Sequence, residues 1–152
     1  MTTNYLQMMI DSLKKKKDIL TRIIALNEEQ DKILSKPELD DNAFDANMKA
    51  KGDCIDELDR LDEGFQSLFN RVRDAINANK EMYANEISVM KRLITEVTEL
   101  GAKIEVQEAR NKVKVEAMFR RERQEHKEAK RSASMAKSYY QNMSKVSNEP
   151  QF

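Results

Sequence analysis

Apolar residues recur every three, four or seven positions along most of the chain, in three long stretches. Leu6, Leu13, Leu20 and Leu34 share one seven-residue lattice, on which Asn27 is the only polar member. Phe44, Met48, Ile55, Leu58, Leu61, Phe65, Leu68, Val72 and Ile76 form a second series. Tyr83, Ile87, Met90, Ile94, Val97 and Ile104 form a third. A period near 3.6 sustained over such lengths predicts long amphipathic helices that bury one stripe each. It leaves no segment for a β-sheet, a phosphate loop or a catalytic cleft.

Breakers set the boundaries. Ser35-Lys36-Pro37 ends a first helix predicted over about 3–34, because proline lacks an amide hydrogen and biases the preceding residue away from helical geometry. Asp40, Asp41 and Asn42 then offer N-caps for a second helix over about 43–79. Gly52 and Gly64 lie inside it, each costing roughly 1 kcal/mol relative to alanine. They mark tolerated glycine, close helix contact or, less expected, a hinge. Asn77-Ala78-Asn79-Lys80 is a weaker break before a third helix over about 82–120 and beyond. Short connections make successive helices antiparallel. The expected fold is all-α: an elongated antiparallel three-helix bundle or coiled coil, with a long third helix overhanging the other two. The bundle is expected to span 1–120. Residues 121–152, basic and then rich in Ser and Tyr, form a tail expected to be partly disordered because it has little to bury.

Within the third helix the seam changes character. Glu108 and Asn111 stand where apolar residues should continue, and Val115, Met118 and Phe119 resume the stripe. A smaller stripe, Ala102, Val106, Ala109, Val113 and Ala117, runs along another side. Val106, Val113, Val115, Met118 and Phe119 are more apolar than a solvated overhang should carry, so they are candidate partner-binding residues. Docking on the first helix or on a second copy of the chain would also use them.

Composition narrows the function classes. Charged residues make up 36% of the 152 residues and aromatics 6%, with no Trp and three Gly, which suits slender helices better than an α/β enzyme. The formal net charge is zero, so no global field draws nucleic acid or anionic lipid. Locally the charge is uneven: residues 38–63 are acidic and 110–131 are basic. Solvated helix faces account for such runs, and nucleic acid is a disfavoured partner. The single cysteine, Cys54, allows no internal disulfide and is expected to be a small helix residue. The order of bases and apolar residues at the N-terminus is not that of a secretory signal. No apolar run approaches membrane-spanning length, and the expected location is cytoplasmic. The lone His126 has no acid–base partner nearby in sequence, and no metal-loop or dinucleotide motif occurs. The chain is therefore expected to be neither an enzyme nor a cofactor carrier.

The order of features resembles the FlgN-type flagellar export chaperones over roughly residues 6–140. The resemblance lies in the heptad-rich LKKKKDILTRIIALNEEQDKIL, in the lysine and spaced leucines of MKAKGDCIDELDRLDEGFQSLF, and in LITEVTELGAKIEVQEARNKV leading to Asn111. It continues in the tyrosine-bearing tail SYYQNMSK. Glu108 stands where the family often has a second Asn. The resemblance implies a cytosolic chaperone of the flagellar type III secretion system. Such a protein keeps the C-terminal helices of hook–filament junction proteins soluble and brings them to the export gate. It further implies that Tyr139 and Tyr140 contact that gate, against the plainer alternative that they pack a frayed helix end. A FliT-type chaperone for another flagellar client is a close variant, and a coiled-coil adaptor or homodimerisation module is the structural alternative.

Overall fold

The computed structural model describes residues 1–123 and 128–143, with side chains over 1–123 and 133–143. Its elements are α1 (Thr2–Leu34), α2 (Asp41–Ala78), α3 (Ala84–Glu122) and α4 (Glu128–Asn142), with no strand among the described residues. His126 and residues 144–152 of the tail lie outside the described residues.

The sequence signals act where they were expected. Helix α1 stops at Ser35, whose hydroxyl donates to the Asp31 carbonyl at 2.7 Å, two residues before Pro37. Of the three cap candidates the fold uses Asp40, whose Oδ1 accepts from the Ala43 amide at 3.1 Å. Such a cap is worth about 1 kcal/mol because it satisfies an otherwise orphaned donor of the first turn. Helix α2 runs unbroken through both glycines, and a Cβ added at either would meet nothing within 4 Å. Close helix contact is therefore not the reason for either glycine.

Helix α1 is central and packs on both α2 and α3. Its pairs with α3, Lys17–Glu96, Asn27–Gln107 and Asp31–Lys114, keep an offset of 79–83 residues, so these two helices are parallel. Its pairs with α2, Lys16–Asp62 and Gln30–Asn47, converge in number, so those two are antiparallel. This is the up-down-up arrangement expected from the short connections.

Two apolar clusters fill the bundle. One joins Leu6, Met9 and Leu13 to Phe65, Val72, Ile76, Met90 and Leu93 at the three-helix end. The other gathers Leu20, Ile23, Phe44, Ile55, Leu58 and Ile104 at the far end, where Phe44 and Phe119 meet edge to face at 5.5 Å. Burial of this seam, at roughly 25 cal/mol per Å² of apolar surface, is the main stabilising term.

The far end differs from the expected bare overhang. Helix α4 folds back along α2 and α3 and turns this end into a four-helix bundle. Ala136 and Tyr139 of α4 join the core there, with Ala133, Met135, Tyr140 and Met143 packed against it. Spacings of three and four residues put these side chains on one face, which is what allows a short, mostly polar helix to dock.

Candidate functional site

Where α4 seats, the bundle interior is polar. Lys51 of α2, fully buried, places its ammonium 2.9 Å from Glu108 Oε1 and 3.0 Å from Oε2. The Tyr139 hydroxyl of α4 donates to the same Glu108 carboxylate at 2.6 Å, and the Lys51 ammonium lies 4.2 Å from the Tyr139 ring centroid. Glu108 thus accepts from two helices at once and holds α4 to α2 and α3. A charge-assisted hydrogen bond of this kind is about twice as strong as a neutral one.

The network extends to α1. Lys51 donates to Gln30 Oε1 at 3.3 Å, and Gln30 donates to Asn47 Oδ1 at 3.0 Å. Asn111 donates to the Asn27 carbonyl at 3.0 Å and to Gln30 at 3.3 Å, while Asn27 donates to Gln107 at 3.1 Å. Asn47 closes the set by donating to the Leu26 carbonyl at 2.8 Å. All these side chains are buried. Asn27 Oδ1 and Asn111 Oδ1 accept no hydrogen bond among the described residues.

Burial sets the protonation behaviour. Removal from water pushes the Lys51 pKa below its ordinary value, opposed by the Glu108 carboxylate. The Tyr139 phenol is pushed well above its ordinary value, first by burial and then by the negative charge of Glu108. Tyr140 moves the same way for the same two causes, with Glu116 adding to the rise. The Cys54 thiol is raised mainly by burial, which disfavours the nucleophilic thiolate. No group of three or more His, Cys, Asp or Glu residues able to hold a metal ion occurs among the described residues. The arrangement is suited to holding helices in one register.

The five candidate binding residues divide. Val115, Met118 and Phe119 are core residues, between 1% and 5% exposed, in a cluster that also takes in residues of α1, α2 and α4. They form no open strip, because the tail supplies the apolar face that the overhang lacked. Val106 and Val113 remain 67% and 65% exposed. Tyr139 is 4% exposed and bound to Glu108, so its hydroxyl is internal and not displayed to a partner. Tyr140 is half-buried, and its hydroxyl has no partner among the described residues.

Sequence reasoning did not find Lys51, Gln30, Asn47 and Gln107 as members of a site. The signal was present: Asn27, Glu108 and Asn111 are polar residues on otherwise apolar lattices. Polar side chains at seam positions mark a buried polar layer, but their partners come from other helices.

Alongside the network the surface has an open cleft between α3 and α4, with Val115, Phe119, Ala133 and Ala136 among its lining. Among the described residues no helix is long and apolar enough to cross a membrane. Compared with known proteins, the chain matches no family model, no curated sequence and no solved structure.

Proposed function

We propose that this protein is a helical-bundle carrier that holds an amphipathic helix of a client protein on the outer side of α3. The observation that carries the reading is the pair Val106 and Val113, two large apolar side chains left exposed on a regular helix. They belong to the stripe Ala102, Val106, Ala109, Val113 and Ala117, whose spacing matches the seam that a client helix would present. The resemblance to FlgN-type chaperones supplies the client class: C-terminal helices of hook–filament junction proteins, kept soluble in the cytoplasm and delivered to the flagellar export gate. A FliT-type client is the nearest variant. The proposed role is binding, with no catalytic step.

Met118 and Phe119 are core residues and lie outside the exposed valine stripe. Charging those two would expel core residues and unfold the far end, so loss of binding in such variants would say nothing about contact. The informative variant is Val106→Asp with Val113→Asp. It should leave the helical circular-dichroism signal unchanged and weaken binding of a junction-protein C-terminal segment by at least about tenfold, a difference near 1.4 kcal/mol. Unchanged binding rejects the surface.

The same stripe supports a second reading, a homodimeric coiled-coil adaptor. Its length argues against that. The apolar positions span only about two heptads, and coiled-coil signals are sustained over three or four. A monomeric mass in solution at working concentration removes the dimer reading.

A further inference from the structure

The cleft between α3 and α4 has a volume of about 390 Å³ and is open to solvent. Its floor is apolar, formed by Val115 and Phe119 of α3 and by Ala133 and Ala136 of α4. Among the described residues its rim is basic, with Lys112, Arg123 and Lys137 around it and Glu116 the one carboxylate in the lining. The three cationic side chains are exposed. Lys112 stands over the Tyr140 ring, 5.7 Å from its centroid, and this cation–π contact keeps one positive charge at the mouth. Val113 follows Lys112 in sequence and so lies about a quarter-turn round the helix from it, outside the cleft's lining.

We propose that this cleft is a docking site for a partner helix that carries a bulky apolar anchor flanked by carboxylates. The floor accepts the anchor, and the rim selects the charge. The argument for an acidic flank is complementarity: three cations beside low-dielectric walls attract carboxylates and repel a basic helix. Repulsion of the wrong partner supplies as much of the selectivity as attraction of the right one. The apolar floor favours a peptide over a nucleic acid, for which a cationic groove with exposed stacking aromatics would be needed. The wall from α4 is half of the site, so the partner adds to the seated α4. The inference rests on the reading that the outer side of α3 receives a client helix, and it specifies the chemistry of that client.

The test uses the full chain and two synthetic helices of about 18 residues, roughly five turns. Both carry the same Leu and Phe seam, one flanked by Glu and the other by Lys, and binding is followed by fluorescence anisotropy. The Glu-flanked peptide should bind at least about tenfold more tightly, and the preference should weaken with salt. Lys112→Glu with Lys137→Glu should reverse the preference, and Ala133→Trp should fill the cleft and weaken the Glu-flanked peptide. Equal binding of the two peptides overturns the proposal, as does binding of neither. An unchanged preference in the charge-reversed variant overturns it too, as does a single-stranded oligonucleotide that displaces the bound peptide. Loss of the peptide in Val106→Asp/Val113→Asp with no change in Lys112→Glu/Lys137→Glu removes the cleft and keeps the carrier reading. Charge-dependent peptide binding, together with no binding of a junction-protein segment, keeps the cleft and removes the flagellar client.

Discussion

The two ends of this bundle are built on different principles. At the three-helix end Leu6, Met9, Phe65, Val72 and Met90 pack in an apolar seam, and the buried Lys16, paired with Asp62 at 3.0 Å, follows it along α1 before the next cluster begins at Ile19. At the four-helix end Gln30, Asn47, Lys51, Glu108 and Asn111 are buried among Phe44, Ile55 and Met118. Apolar contacts are non-directional, and a seam of Leu, Ile and Met tolerates sliding by a turn. A buried polar group without a partner is costly, so a network in which all but Asn27 Oδ1 and Asn111 Oδ1 find partners penalises registers that would break its bonds. The comparison teaches that the apolar end supplies adhesion and the polar end supplies registry, including the position of α4.

The sharpest way to break this contrast is Glu108→Ala. It leaves Lys51 buried without its counter-ion and Tyr139 without its acceptor, a class of change that costs about 3–5 kcal/mol. Urea denaturation should show the loss, and hydrogen exchange should show α4 released. A change of a few tenths of a kcal/mol would mean that the network does not hold the far end.

The matching probe at the other end is Met90→Ala. Met90 is fully buried, so the cavity and lost transfer energy should cost about 2–5 kcal/mol. Here the exchange protection of α4 should stay as in the native chain, since Met90 belongs to the other cluster. Release of α4 by this variant would show that the two ends are one cooperative unit.

The smallest effect expected is that of Tyr139→Phe, about 1–2 kcal/mol for a hydrogen bond to a charged acceptor. Its signature is in the pH profile. The folded state raises the Tyr139 pKa above the ordinary 10.0, so the fold keeps a proton that the unfolded chain loses. The contribution is present below pH 10 and is lost as pH rises beyond it. Lys51, lowered from 10.5, acts with the opposite sign as pH approaches that value, and the difference between wild type and Tyr139→Phe isolates the phenol. Parallel stability profiles of the two proteins above pH 10 would place the phenol outside the linkage.

Much of this architecture was legible along the chain. Pro37 and the Asp40 cap delimit α1 and α2, and the lattices of Leu, Ile and Phe name most of the core. The tail was legible only in part. Its apolar face is three alanine- and tyrosine-sized steps long, too little to hold a helix in isolation, and it gains its stability from a surface made by α2 and α3. Glu108 and Asn111 were visible as breaks in the seam, but Lys51 is 57 residues away and Asn27 is 84 residues away.

By itself, then, the sequence determined that this protein is helical, where its long helices begin and end, and which stripe of each is buried. Those are properties of local propensity and periodicity, which a few consecutive turns suffice to encode. Only the tertiary structure decided that α4 closes the far end, that Val115, Met118 and Phe119 are interior while Val106 and Val113 are not, and that one carboxylate joins three helices. These depend on distances between residues remote in the chain, and burial there is a property of the assembled bundle rather than of any helix within it.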